Sequence, residues 1–268
     1  MGTDSKVLCG QFQTVPLSES QLDFPGQPYS VSVLKPGYCL PQTDGTFKAD
    51  GTITLITGPR TILVDTGGPW DRDFLLTTLR QRGLQPGDID VIVGTHGHSD
   101  HVGNLSLFST ALMIVGFDVS EGDTYRPNKL AEGHAYCIDE YISVVPSPGH
   151  TGQDVSVQVT GTSAGTVLVA GDLFECCADE DSWRDLSMNT AVQEVNRQEA
   201  LRTADVIIPG HGLHAKATNV PLATLSSDAK LLTPITRTKH HTVEERRHCC
   251  PNPLELTPSK HLQLRLTP

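Results

Sequence analysis

The most constraining feature of the sequence is VIVGTHGHSDH, residues 91–101, in which three histidines and an aspartate follow a short apolar run. The chain has 11 histidines among 268 residues, so three within six positions are not expected from composition. His96 and His98 point to one side of an extended segment, and Asp100 and His101 follow at the next turn. Imidazole nitrogen and carboxylate oxygen are typical zinc ligands. The stretch therefore predicts a metal centre at the end of a buried strand.

Ligand-type side chains also follow other apolar runs. They are His150 in PSPGHTGQD, Asp172 in LVAGDLFE and His211 in VIIPGHG. Neighbouring glycines allow sharp turns that bring such side chains inward. Two adjacent metal ions with three or more protein ligands each need a set of this size, drawn from several loops. Asp65, in ILVDTG, is expected either to orient a ligand histidine through its free ring N–H or to be a turn carboxylate.

The alternation of short apolar runs with turn residues predicts an α/β domain. Strands are expected over 29–38, 52–58, 61–67, 90–95, 111–118, 141–149, 154–161, 165–172 and 205–212, with helices over 70–83 and about 187–203. Two sheets between helical layers fit this pattern. We expect residues 1–28 to form an N-terminal arm, 29–214 the domain, and 215–268 a poorly ordered tail.

Net charge and cysteine content limit the kinds of binding partner and the cellular compartment that we expect for this protein. Residues 1–212 carry 12 Lys/Arg and 27 Asp/Glu, a net −15, whereas residues 213–268 carry eight and four, a net +4. An acidic body disfavours indiscriminate nucleic-acid binding. Neither a signal-peptide core nor an apolar run of roughly 20 residues is present, so no membrane association is expected. Seven cysteines without a signal peptide favour reduced thiols in the cytosol or nucleus.

The motifs THGHSDH, PGHTGQ, GDLF, PGHG and LVDTG, in the order of their ligands above, resemble the metallo-β-lactamase fold superfamily over residues 29–214. The resemblance implies a hydrolase domain folded as an αββα sandwich, two mixed sheets flanked by helices, with the site at one edge of both sheets. It also implies two zinc ions, with iron or manganese left open as replacements. The implied ligands are His96, His98 and His150 for one ion, Asp100, His101 and His211 for the other, and Asp172 as the bridge.

The glycine and apolar context, as in LVDTGGPW and VGTHGHSDHVGNL, is similar to vertebrate members of that family described as ribonucleases that process the 3′ end of histone pre-mRNA. The resemblance thus implies an endoribonuclease with RNA as its substrate, in which Asp100 and Asp172 orient the attacking water. One alternative is a glyoxalase II-like hydrolase of a small thioester or lactone. Another is a non-catalytic metal-binding protein. A homodimer is left open.

Three further features favour plainer interpretations. His134 and His214 are expected at the surface. The tract KHHTVEERRHCC, residues 239–250, fits no closed tetrahedral ligand spacing. The stretch ECCADEDSWRD, residues 175–185, is expected to be an acidic solvated loop, with substrate selection near the site entrance as the alternative.

Overall fold

The computed structural model describes residues 12–18, 20–177, 181–212 and 214–219. Its strands are β1 (Phe12–Pro16), β2 (Asp23–Phe24), β3 (Ser30–Lys35), β4 (Tyr38–Pro41), β5 (Phe47–Asp50), β6 (Ile53–Thr57), β7 (Ile62–Val64), β8 (Val91–Gly94), β9 (Leu112–Val115), β10 (Asp118–Glu121), β11 (Thr124–Tyr125), β12 (Tyr136–Cys137), β13 (Ile142–Pro146), β14 (Val155–Thr162), β15 (Gly165–Gly171), β16 (Val206–Pro209) and β17 (Ala215–Asn219). The α-helices are α1 (Arg72–Gln81), α2 (Ser99–Val102) and α3 (Thr190–Thr203). Short 3-10 helices cover Pro69–Asp71, Pro86–Asp88, Leu105–Phe108, Leu130–Glu132 and Ser182–Leu186.

The strands form two large sheets and a separate hairpin. One sheet has seven strands in the order β1-β17-β16-β15-β14-β13-β12, and the other has eight in the order β11-β10-β9-β8-β7-β6-β3-β2. Most neighbours are antiparallel, but β15 runs parallel to β16, and β7, β8 and β9 run parallel to one another. The hairpin pairs β4 with β5.

Alternating side chains on the central strands build the layers. On β7, Ile62 and Val64 enter the core between the two sheets, whereas Leu63 faces the opposite side. On β15, Val167 enters the same core and Leu168 faces outward. Both faces are covered, so these strands read as nearly continuous apolar runs. The continuous runs in the sequence therefore mark the centres of the two sheets.

Two helices cover the outer faces of the sheets. Leu75 and Leu79 of α1 pack against the larger sheet, and Ala200 and Leu201 of α3 pack against the smaller one. Each helix also joins two parallel strands, giving the units β7–α1–β8 and β15–α3–β16. The αββα sandwich expected from the sequence is confirmed. Within the described ranges, no helix combines the length and apolarity needed to cross a bilayer.

The predicted limits of the domain, 29 and 214, are too narrow. Strand β1, from the expected arm, pairs antiparallel with β17, from the expected tail, along the edge of the smaller sheet. Neither FQTVP nor AKATN contains a continuous apolar run, and backbone pairing stabilises the two strands in this place, so the sequence gives little apolar signal for them. Residues 1–11 and 220–268, including the tract at 239–250, lie outside the described residues.

The N-terminal segment also contributes to the core. Phe24 is 1% exposed and meets the ring of His214 edge-on, with ring centroids 5.3 Å apart. His214 is itself buried, so the expectation of a surface histidine is wrong, whereas His134 is exposed as expected. The domain therefore includes an aromatic contact between the segment that precedes β3 and the segment that follows His211.

Phe24→Ala is expected to lower the free energy of unfolding by about 3–5 kcal/mol, because truncating a buried phenylalanine loses transfer free energy and leaves a cavity. Phe47 is 57% exposed. Phe47→Ala, the matched control, should therefore change stability by less than about 0.5 kcal/mol. Urea unfolding of both variants measures the difference. Equal small effects would show that the segment before residue 29 does not stabilise the domain.

The cysteines differ in part from expectation. Cys39 is a free thiol, in agreement with the expected reduced state. Cys137, on β12, is disulfide-bonded. The expectation of seven reduced cysteines is therefore wrong at Cys137. The number of cysteines and the absence of a signal-peptide pattern could not show whether one particular cysteine is paired.

Candidate metal centre

The predicted ligands lie where strands of both sheets end. In the larger sheet, β7 ends just before Asp65 and β8 just before the THGHSDH motif. In the smaller sheet, β13, β15 and β16 lead into the segments that carry His150, Asp172 and His211. Loops at strand ends place side chains on a rigid frame. The structure brings all seven predicted ligands into one pocket at this edge of the sandwich.

The THGHSDH turn passes from β8 directly into α2. His98 precedes the helix in an extended conformation, and its carbonyl accepts from the backbone N–H of His101 at 3.0 Å. His96 is buried, whereas His98 is exposed. Nε2 of His96 and Nδ1 of His98 lie 2.8 Å apart. The two rings therefore present different nitrogens to the same point.

Asp172 occupies the middle of the pocket. Its side chain is almost wholly buried and contacts a ring of imidazoles. The Nε2 atoms lie 3.2 to 3.5 Å from its carboxylate oxygens, for His96 (3.5 Å), His101 (3.2 Å), His150 (3.2 Å) and His211 (3.3 Å). Oδ2 faces three of these rings and Oδ1 faces His101. A carboxylate in this position can serve two neighbouring cations.

The ligand atoms fall into two adjoining groups. One consists of His96, His98, His150 and Asp172, and the other of Asp100, His101 and His211. Oδ2 of Asp100 is 3.8 Å from Nε2 of both His101 and His211. Each group offers imidazole nitrogens together with a carboxylate, the combination preferred by zinc and related divalent metals.

The orphaned atoms of the pocket test whether a cation fits. Nε2 of His101 and Oδ1 of Asp172 are buried, and although they lie 3.2 Å apart, neither makes a hydrogen bond of acceptable geometry in the described part of the chain. Nδ1 of His98 faces Nε2 of both His96 and His150, at 2.8 and 3.1 Å. Buried polar atoms without partners are costly, and converging lone pairs add repulsion. Divalent metal ions would satisfy these atoms, so the residues fit such a group.

Groups behind the ligand rings fix their tautomers. Nδ1 of His101 donates to Oδ2 of Asp65 at 2.8 Å, and Nδ1 of His211 donates to the carbonyl of Asp50 at 3.0 Å. Thr95 donates from its hydroxyl to Asp65 at 2.9 Å, and that hydroxyl lies 3.2 Å from Nδ1 of His96. These contacts leave Nε2 directed into the pocket. Asp65 thus contacts the ring of His101 directly and that of His96 through the hydroxyl of Thr95.

The electrostatics of the metal-free pocket follow from burial and mutual charge. Burial lowers the pKa of His96 well below its usual value. Burial also acts to lower the pKa of His101, but the carboxylates of Asp172 and Asp65 outweigh it and raise that pKa well above normal. Burial also acts to lower the pKa of His211, but the charge of Asp172 outweighs it and raises that pKa to about 9. Burial opposes ionisation of Asp172, yet the surrounding histidines hold its pKa well below normal. Metal binding at neutral pH must therefore displace protons.

Sequence reasoning missed Glu175. The stretch 175–185 was expected to be solvated, but Glu175 is 5% exposed and Trp183 is fully buried. Glu175 belongs to a third group of converging atoms, with Asp172 and His211. Its position three residues after Asp172, following the apolar pair Leu173 and Phe174, was the available signal.

The β4–β5 hairpin flanks the pocket. The backbone N–H of Gly51, after the hairpin, donates to the carbonyl of Asp100 at 3.2 Å, and that of Gly212 donates to the carbonyl of Gly37 at 2.7 Å. Cys39 and Phe47 project from the same face of the hairpin. Burial, followed by the charges of nearby pocket carboxylates, raises the pKa of the Cys39 thiol to about 11. The Cys39 thiol is therefore close enough to the pocket carboxylates to be affected by their charge.

Comparison with known proteins places this fold and site in a family. The model of the metallo-β-lactamase superfamily matches residues 49–211, more than half of the chain. The chain belongs to the metallo-β-lactamase superfamily. The match spans all seven candidate ligands. With the convergent His/Asp groups, membership identifies a metal-dependent hydrolase of the metallo-β-lactamase type.

Relatives in this superfamily cover most of the chain. A Xenopus laevis protein named metallo-β-lactamase domain-containing protein 1 is 50% identical over 204 residues, which is 75% of this chain and 87% of the relative. The Homo sapiens protein of the same name is 46% identical over 231 residues, with the same two coverages. A solved N-acyl homoserine lactone hydrolase, with product at its catalytic metal centre, aligns with a TM-score of 0.53 at 17% identity, covering 70% of this chain and 94% of that one. That structural similarity shows a shared fold.

Proposed function

We propose that the protein is a dinuclear zinc hydrolase that cleaves RNA phosphodiester bonds. The observation that carries the dinuclear part is the position of Asp172, whose two oxygens face histidines of both ligand groups. His96, His98 and His150 would hold one ion, and Asp100, His101 and His211 the other. Two bound zinc ions supply Lewis acidity that lowers the pKa of water toward about 7 and neutralise charge that develops at the reacting phosphorus.

The residues of the chain contribute orientation and proton handling. Asp100 is only partly buried, so its carboxylate can reach both the pocket and a molecule that enters from solvent. Asp100 and Asp172 would orient the attacking water and accept its proton. Asp65 and the carbonyl of Asp50 keep the Nδ1 protons of the ligand rings directed away from the reaction.

Exposed aromatic side chains on two elements that contact α2 support RNA as the substrate. Phe47, 57% exposed, lies on the hairpin face that carries Cys39. Trp70, 62% exposed, lies in the short helix Pro69–Asp71, which packs against α2. Unpaired bases of single-stranded RNA stack on exposed aromatic rings. Cleavage of histone pre-mRNA, which the resemblance of the sequence implies, fits a single-stranded substrate.

The net charge favours a second candidate, hydrolysis of a small thioester or lactone. Residues 1–212 carry a net −15, and an acidic body repels a polyanion more than it repels a small neutral ester. Under this alternative, the hairpin face that carries Cys39 and Phe47 would hold the acyl part of the substrate.

A substrate panel separates the two candidates. The zinc-loaded full chain is offered a single-stranded histone-type pre-mRNA fragment, S-lactoylglutathione and an N-acyl homoserine lactone, each with and without a chelator. We expect chelator-sensitive RNA cleavage that Asp100→Asn abolishes. We also expect Phe47→Ala and Trp70→Ala to raise KM by roughly 5- to 150-fold each, the equivalent of one lost base stack.

Tyr125→Ala is the matched control, because Tyr125 is 70% exposed on β11, at the edge of the larger sheet. Its KM for RNA should be that of the wild type. Chelator-sensitive turnover of only the thioester or the lactone would reject the ribonuclease. No turnover of any substrate by protein that binds less than one zinc per chain would favour a non-catalytic role.

A further inference from the structure

Glu175 is a buried acid whose side chain faces the metal pocket. It follows the end of β15 by four residues, and its carbonyl accepts from the backbone N–H of the ligand His211 at 2.8 Å. Its side chain is 6% exposed. Burial acts to raise the pKa of a carboxyl group in such a place, and that of Glu175 is raised. A buried acid requires a partner, and the pocket offers one.

The contacts of Glu175 point to His150. Oε1 of Glu175 lies 3.3 Å from Nδ1 of His150, on the side of the ring away from Asp172. Oε2 is more distant from the second ligand group, at 3.9 Å from Nε2 of His211. Nδ1 of His150 and Oε1 of Glu175 are both buried, and neither has another hydrogen-bond partner in the described part of the chain. Nδ1 of His150 can therefore act as the hydrogen-bond donor and Oε1 of Glu175 as its acceptor.

The other Nε2-presenting ligands already have partners behind their rings. His101 has Asp65, His211 has the carbonyl of Asp50, and His96 has Thr95. His150 also presents Nε2 to Asp172, so its single N–H must sit on Nδ1 when Nε2 binds a metal ion. An acceptor is therefore needed at the position that Glu175 occupies.

We propose that Glu175 is a positioning residue that accepts the Nδ1 proton of His150 and holds that ring with Nε2 directed at the metal. This role rests on the metal centre of the proposed function and not on the choice of substrate.

Helix α3 keeps Glu175 in place. Nε2 of Gln193 donates to the carbonyl of Asp172 at 2.9 Å, and Arg197 donates to the carbonyl of Leu173 at 2.9 Å. Both side chains are buried, and their hydrogen bonds attach the loop between Asp172 and Glu175 to helix α3. A carboxylate on a fixed loop loses little conformational entropy when it orders a ligand.

Zinc affinity of three Glu175 variants tests the proposal without an activity assay. Glu175→Gln keeps an oxygen acceptor at the same reach, Glu175→Asp keeps the charge but withdraws it by one methylene, and Glu175→Ala removes both. Chelator competition gives the zinc dissociation constants, metal analysis gives the stoichiometry, and thermal unfolding of the metal-free proteins reports the fold. The exposed Glu140→Gln is the matched control.

We expect Glu175→Ala to weaken zinc binding by about 10- to 100-fold at unchanged stoichiometry, the usual effect of losing the partner of a ligand histidine. Glu175→Gln should bind within a few-fold of wild type, and Glu175→Asp should be weaker than Glu175→Gln. If the alanine variant fails to fold, the comparison of Gln with Asp decides.

Four results would overturn the proposal. Binding by Glu175→Asp that equals or exceeds binding by Glu175→Gln would show that charge, and not the hydrogen bond, matters. Loss of one zinc in Glu175→Gln would make Glu175 a metal ligand. Wild-type affinity in both Glu175→Ala and Glu175→Gln would exclude any role. A wild type that binds no zinc would remove the metal centre itself, whereas a failure to cleave RNA leaves the role of Glu175 standing.

Discussion

Asp172→Asn is expected to lower kcat by at least about 100-fold, because loss of a group that only supports a ligand already costs about 10- to 100-fold. Asp172 contacts the Nε2 atoms of four histidines, and its two oxygens face both ligand groups. An amide has one oxygen and no charge, so it cannot serve both groups. Turnover of the substrate found in the panel above, with zinc stoichiometry measured in parallel, checks the expectation.

The control for this variant is Asp118→Asn, an exposed carboxylate on β10 of the larger sheet. It should retain wild-type turnover and two zinc ions per chain. If Asp172→Asn retained both metals and more than a tenth of the wild-type kcat, Asp172 would not be the shared ligand. The assignment of two adjoining metal positions would then fail.

Removal of the metal is expected to lower Tm by about 5–10 °C as well as to abolish turnover. Zinc at 100 times its dissociation constant stabilises the folded state by about 2.7 kcal/mol, and each kcal/mol shifts Tm by about 2–4 °C at this size. The ligands come from loops of both sheets, so bound ions resist separation of the sheets. Thermal unfolding of chelated and zinc-reloaded protein measures the shift.

Asp172→Asn provides the comparison for this shift too. With a ligand lost, zinc should raise its Tm by less than it raises the wild-type Tm. Equal Tm values for chelated and reloaded wild-type protein, at saturating zinc, would contradict a site built from both sheets. Those values would instead indicate metal bound outside the folded core.

The sequence predicted the centre of the fold and the members of the site for one physical reason. Strands such as β8 and β16 are covered on both faces, so they appear as apolar runs, and polar residues directly after them lie at one edge of the sandwich. Seven ligand-type residues follow such runs. The structure brings all of them together.

The remaining features had no comparable signal. Strands β1 and β17 are stabilised by backbone pairing at a sheet edge, which polar sequences allow as readily as apolar ones. The β4–β5 hairpin is largely exposed and shows no apolar alternation for the same reason. Glu175 begins an acidic stretch, and the apolar pair Leu173 and Phe174 before it was a weaker sequence signal of its burial.

The first strand of each strand–helix–strand unit ends in a residue with positive φ, but the residue type at that position differs between the two units. Where β7 ends, Asp65 itself adopts a positive φ of 58°, and its carboxylate turns back behind the ring of His101. Where β15 ends, Gly171 adopts a φ of 56°, with Thr95 too close to admit a Cβ, and the acid comes one residue later. A shift of one position relative to the bend thus separates the two carboxylates in their contacts. Asp65 hydrogen-bonds the Nδ1 side of an imidazole, whereas Asp172 lies among the Nε2 atoms of four imidazoles.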